Sequence, residues 1–290
     1  MTPFSQQREQ PGAELAAAWG LPRLGSRPGI GRYLAQIWSR RHFAIELARA
    51  RFQSENEQDR LGIAWVVIRP LINAAVYGVV FSLLLRSDTR PDNFVPFLVT
   101  GVFVFQFFSG CLSDGAKSIT GSMGLVRTLH FPRALLPLAT VLQQAFALGP
   151  MMAVVAVVAV VFGEPPRLSW LQVVPALGLM ALFNLGITFI ASRLTIHIRD
   201  IAQLLPFLVR IVFYVSGVLF SIRKTIDEGL LRRLLEVNPV HVYISLVRGA
   251  FGVDTPAPLE MWLFGVGWAA LAIGVGFVFF WQAEERYARE

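Results

Sequence analysis

The chain holds few groups able to do covalent chemistry, and their spacing excludes most of it. The four histidines, His42, His130, His197 and His241, stand far apart, and no pair has metal-ligand spacing. No nucleophile–base arrangement appears. The stretch from Gly110 to Ser118, GCLSDGAKS, misses the phosphate-cradling pattern GxxxxGK[ST] by one inserted alanine. Such a loop also follows a strand, whereas this stretch follows an apolar run, so the chain has no nucleotide-binding loop. Ser39-Arg40-Arg41-His42-Phe43 is similar to a twin-arginine export signal. Glu46, Glu55, Glu57 and Asp59 follow it where an apolar stretch is required. What remains is recognition by charge. Arg210 lies in the middle of an apolar run, where a charge costs at least ~2.5–3.5 kcal/mol unless it faces water or a partner. Its side of that run is expected to line a wet path or a subunit contact. Arg69, near the start of another run, can extend its stem to the headgroups.

The elements that must position these residues are six apolar runs, near 61–85, 94–112, 135–162, 168–192, 201–220 and 261–281, none carrying an acidic residue. Each approaches the ~20 residues that a helix needs to cross a hydrocarbon core. Lipid offers no partner to backbone N–H and C=O groups, so each run must be helical. The fold class is therefore an all-α polytopic membrane protein with six transmembrane helices, occupying 61–281. Residues 1–32 are rich in Gly, Pro, Gln and Arg and read as a flexible tail. Residues 33–60 read as an amphipathic interfacial helix. Leu34, Ile37, Trp38, Ile45, Ala48 and Phe52 share one side, and Arg40, Arg41 and Arg49 much of the rest. Packing of that helix on a protein neighbour is the alternative use of the same face. Residues 221–257 read as two short helices, broken at Asn238-Pro239, that re-enter the leaflet between the fifth and sixth spans. A short tail, 282–290, ends the chain.

The net charge of +7 comes from 24 Arg and 2 Lys against 19 acids, and these basic residues flank the spans. Their partner is then the membrane surface, with no nucleic acid expected. Nine Arg precede residue 63, and the loops at 113–134 and 193–200 and the tail carry more, whereas the alternate loops are poorer or diluted by acids. Both termini are expected to face the cytoplasm. Heavy use of Arg over Lys, with much Ala and Val, suggests a GC-rich bacterium; the location expected for the chain is the bacterial cytoplasmic membrane.

Four stretches, in order, carry a family likeness. They are Leu61-Gly62 with Trp65 and Arg69-Pro70; residues 125–138, with Arg127, His130, Phe131, Pro132, Arg133 and Pro137; Ile198-Arg199-Asp200-Ile201; and Asn238-Pro239 with Arg248. On them the chain resembles the ABC-2 type permeases, and most closely those exporting lipid-linked polysaccharides such as O-antigen, teichoic acid and galactan. The resemblance departs at Ser216-Gly217-Val218, where the family often has Ser-Pro-Val, and at Glu55–Arg60, which looks inserted.

The resemblance implies a permease subunit that is not itself an enzyme. It pairs with a second copy of itself and docks two copies of a cytoplasmic ABC ATPase, which alone carries ATP and magnesium. The chain has no cofactor and no metal of its own. ATPase coupling falls to Arg127, Phe131 and Arg133, with Arg199 and Asp200 as a second contact; loop arginines that only set topology are the alternative. The first and fifth spans are implied to line the path, with Tyr77, Phe81, Phe213, Tyr214 and Phe220 as aromatic surfaces for a sliding sugar polymer. Arg210 or Arg69 would then meet the diphosphate of the lipid carrier. Two other functions compete: an ABC-2 exporter of a drug or small lipid, and a membrane-embedded enzyme acting on polyprenyl-linked sugars. The enzyme would need paired acids at the interface, and Asp114 and Asp200 are isolated.

Overall fold

The apolar runs do become helices, and one of them is cut short. In a computed structural model the chain is described at residues 29–57, 60–84, 91, 93–129, 131–198 and 200–284. The amphipathic segment forms α1 (Ile30–Ser39) and α2 (Arg41–Glu57), which meet at Arg40. Then come α3 (Ala64–Leu84), α4 (Phe94–Ala116), the short α5 (Met123–Thr128) and α6 (Leu135–Val161). They are followed by α7 (Val173–His197), α8 (Ile201–Val215), the single turn α9 (Ile222–Thr225), α10 (Leu230–Val237), α11 (Pro239–Phe251) and α12 (Leu259–Trp281). Among the described residues there is no strand. The protein is an all-α polytopic membrane protein, as the apolar runs require.

Five helices, α3, α4, α6, α7 and α12, are long and apolar enough to cross a membrane. The run at 201–220 was expected to supply a sixth. Its helix, α8, stops at Val215 after 15 residues, about 22 Å at the α-helical rise and short of a ~30 Å core. Ser216–Phe220 leave the helix in a turn, with Gly217 at φ +64°. A proline would hold φ near −65°, so the turn here is one that glycine permits and the family's Ser-Pro-Val would not make.

The bundle is organised around α4. Its phenylalanines Phe94, Phe97, Phe103, Phe105, Phe107 and Phe108 are all buried, with neighbours α3, α6, α7, α8 and α11 around them. An aromatic run equally suited to lipid thus serves as the interior. α7 and α12 form the closest helix pair. Gly186 and Gly276 lie against each other, and a Cβ at either would collide with backbone, the close approach that small residues permit in membranes. By contrast, α3 and α8 sit at the periphery with long apolar faces open, including Val76, Val79, Leu83, Leu204, Phe207 and Ile211.

At one end of the bundle α2 lies against α6. Ala44 and Ala48 are wholly buried on Leu135 and Ala139, so the amphipathic segment packs on protein as well as offering a surface. Gly62, at φ +51°, lies in the turn that leads into α3, which gives a backbone reason for glycine in the Leu61-Gly62 pair. At the other end, Asn238 caps α11. Its side chain accepts from Val240 N at 3.0 Å and donates to Ser216 Oγ at 3.1 Å, and Pro239 takes the first helical position. The expected pair of short helices is therefore α10 and α11, with α11 buried against α4, α7 and α12.

Candidate functional site

Three places gather the chain's polar and aromatic residues. The first is a cleft of about 440 Å³ between α3, α4 and α8. It brings together four of the residues expected on the path: Tyr77, Arg210, Phe213 and Tyr214. Phe213 is the hinge of an aromatic wall, 5.1 Å from Tyr77, 5.0 Å from Phe105 and 5.5 Å from Tyr214 between ring centroids. Arg210 and Tyr214 are exposed. Asn73, Gln106, Ser109, Ser113 and Asp114 add hydrogen-bonding groups on the facing helices. Asp114 accepts a 2.7 Å hydrogen bond from Gln144 Nε2. A neighbouring hollow of about 250 Å³ shares Gln106 and Asp114 and holds Arg69, Trp65 and Glu55. There the Arg69 guanidinium lies 5.5 Å from the Trp65 ring centroid. Chemically this pair of hollows offers two cations, Arg69 and Arg210, two carboxylates, Glu55 and Asp114, and amides and ring faces. Phe81 and Phe220 do not line the cleft. Phe81 packs beside the core, and Phe220 borders a depression with Phe97, His241 and Arg248.

The second place is the end carrying the amphipathic helices. The turn Thr120–Ser122, α5 and Phe131–Arg133 form a short bridge from α4 to α6. Arg127 is exposed in the last turn of α5, and Leu129 beside it is exposed too. Phe131 is half-buried, and its ring packs tilted against Phe43 of α2 at 5.1 Å between centroids. Arg133 faces inward. Its Nη1 stands 3.5 Å from Glu284 Oε1, and its backbone N–H donates to the same oxygen at 3.1 Å. Tyr33 OH donates to Glu284 Oε2 at 2.8 Å and accepts from Ala134 N at 3.2 Å. Burial pushes the Glu284 carboxyl above its usual range, against the opposing pull of these donors. Arg51 of α2 donates to Ser122 Oγ at 2.7 Å and to Thr140 Oγ1 at 3.3 Å, and burial lowers its pKa. Arg51, Tyr33 and Glu284 thus fix the bridge in place. Sequence reading missed all three, because each lies in a segment read by its overall character rather than by single residues. Asp200 is exposed at the start of α8, while Arg199 lies outside the described residues.

The third place is the turn that ends α8. Arg248 of α11 is fully buried. Its Nε donates to Phe97 O at 3.1 Å, Nη1 to Gly217 O at 2.9 Å and Nη2 to Val218 O at 2.7 Å. The guanidinium also lies over the Phe97 ring, 3.3 Å from its centroid. Backbone that leaves a helix at membrane depth must find partners inside the protein; Arg248 supplies them for Gly217 and Val218, and His241 Nδ1 lies 3.1 Å from Ser216 O. The sequence flagged Arg248 only through resemblance; its partners are carbonyls, which leave no mark on side-chain pattern.

Residues 46–251 match the ABC-2 type transporter family, and the chain belongs to that family. Among its relatives are two proteins of Klebsiella pneumoniae called O-antigen export system permease protein RfbA. They are 28% and 27% identical over 162 and 161 residues, which cover 56% and 55% of this chain and 62% and 61% of the relative. A protein of the same name in Myxococcus xanthus is 24% identical over 211 residues, 72% of this chain and 80% of that one. The chain thus spans less than two thirds of the length of the Klebsiella relatives that it matches.

Proposed function

We propose that the protein is the permease subunit of an ATP-driven exporter that moves a lipid-linked polysaccharide across a bacterial cytoplasmic membrane. Two copies would face each other through the open apolar sides of α3 and α8, each contributing one cleft as half of a path. Two ABC ATPase chains would dock at the amphipathic end, which would face the cytoplasm together with both termini. The observation that carries this proposal is the cleft. It joins an aromatic wall, built on Phe213, to the exposed cation Arg210 and to a row of amides and hydroxyls. Ring faces tolerate a sliding sugar chain, and an arginine suits a carrier's phosphates. The relatives' names point to the same class of cargo.

The test combines two measurements on the full chain. Purification from its native membranes should bring down an ATP-hydrolysing chain in equal amount. Arg210→Leu should keep normal membrane levels while surface polysaccharide falls. An isolated chain that exports alone, or full export by the variant, would overturn the proposal.

A further inference from the structure

Near the amphipathic end a second hollow has a different character. It measures about 370 Å³ and is walled by apolar residues alone, among them Ile37, Leu138, Phe189, Gly274 and Phe277. It shares no residue with the polar cleft, so it lies off the proposed cargo path. We propose that this groove is a resident-lipid site that takes one acyl chain of an anionic glycerophospholipid.

Its lining favours hydrocarbon. The walls run from Leu185 to Phe189 on α7 and from Ile273 to Val278 on α12, so the groove extends about 8 Å along the helices. An all-apolar slot gives water no partner. An empty groove would forfeit the contacts that its lining could make.

The headgroup assignment comes from the roof. Leu34 and Ile37 of α1 close the top of the groove. Trp38, one helical turn beyond Leu34, is 70% exposed. The Arg41 guanidinium lies 4.9 Å from its ring centroid and donates to Trp38 O at 3.1 Å. From residue 29 to residue 45 there is no acid, and Arg32, Arg40 and Arg41 are exposed. A basic, tryptophan-bearing rim above an apolar slot complements an anionic phospholipid.

The test uses phosphatidylglycerol with a photoreactive group in mid-chain, and the same label on phosphatidylcholine. The full chain is reconstituted with each, irradiated, and its labelled peptides are mapped. Label from phosphatidylglycerol should concentrate on Leu34–Ile37 and Ile273–Val278, above the level on the exposed face Val157–Val161 of α6. Gly274 has open space at its Cβ position, as does Gly267 outside the groove. Gly274→Leu should cut groove labelling about tenfold, a loss of ~1.4 kcal/mol, while Gly267→Leu leaves it unchanged. Leu138→Phe fills the same slot from α6 and serves if the first variant fails to fold. Arg41→Gln should abolish the preference for phosphatidylglycerol over phosphatidylcholine. Groove labelling no higher than on the α6 face, labelling that survives both filled variants, equal labelling by the two lipids, or cross-links to a protein chain in place of lipid would each overturn the proposal.

Discussion

Arg248 reaches from the last turn of α11 to the carbonyl of Gly217, 31 residues earlier, at 2.9 Å. The same side chain holds Val218 O and Phe97 O. One buried cation thus joins the end of α8, the first turn of α4 and the helix that follows Asn238-Pro239. Without it, the turn at Ser216–Phe220 would present bare carbonyls to an apolar interior.

Arg248→Met should therefore lower the melting temperature markedly, since each carbonyl left unpaired costs ~1–3 kcal/mol. Arg248→Lys should recover only part of the loss, because an ammonium cannot present the planar fork that spans three acceptors. Scanning fluorimetry of the purified chain in detergent reads both. Equal melting temperatures in the three proteins would mean that the turn finds its donors elsewhere.

The fold was legible in the sequence because its strongest signal is compositional. An acid-free run of apolar residues has little choice but to be a helix, and α3, α4, α6, α7 and α12 follow. The fifth run gives a helix shorter than its apolar length because apolarity continues through Ser216–Phe220 while the helical backbone does not; the turn depends on a glycine φ and on a distant arginine. Tyr77, Arg210, Phe213 and Tyr214 share one cleft, whereas Phe81 and Phe220 lie outside it. Being aromatic and on the right helix says nothing of which side a ring faces. Arg127 and Arg133 look alike in sequence; in the fold Arg133 is half-buried beside Glu284, whereas Arg127 is exposed.

That separation is testable. Arg127→Glu reverses an exposed charge on α5 and should cost less stability than the same change at the half-buried Arg133. If α5 docks the ATPase, the change should weaken the complex about tenfold, the equivalent of ~1.4 kcal/mol at a small interface. Arg133→Glu instead sets two carboxylates side by side and should lower the yield of folded protein before any partner is added. Size-exclusion profiles of the chain alone, and ATPase activity of the co-purified complex, distinguish the two. Normal stability of Arg133→Glu would remove the Arg133–Glu284 pair from any structural role.

Glu284 also gives the protein a pH signature. Its folded pKa is raised above 4.5, chiefly by desolvation, so the folded chain holds the proton more tightly than the unfolded one. Between 4.5 and the raised value this group adds stability as pH falls, and that gain is lost as pH rises through the raised value. Glu284→Gln lacks the titration. The difference in melting temperature between variant and native chain should change across that window and flatten below pH 4.5. A difference independent of pH would show that the carboxyl titrates as if exposed.

The arrangement of the two ends across the membrane is open to direct chemistry. Lys117 lies beside the bridge at the amphipathic end, and Glu228 lies just before α10 near the opposite end; both are exposed. The native cysteine, Cys111, is 1% exposed inside α4, so it contributes little background to labelling with a thiol reagent. Cysteines placed singly at 117 and 228 should react from opposite faces, with an impermeant maleimide reaching only position 228 in intact cells and both positions after lysis. This pattern follows if the arginine-rich end is retained in the cytoplasm. It also requires that an odd number of crossings separates the two sites. Because α8 alone spans only about 22 Å, that count depends on the segment 216–220 completing the passage that the helix begins. Labelling of both positions from one side would show that α8 and its turn fold back within a single leaflet. It would then leave α3 and α8 unable to line one continuous path.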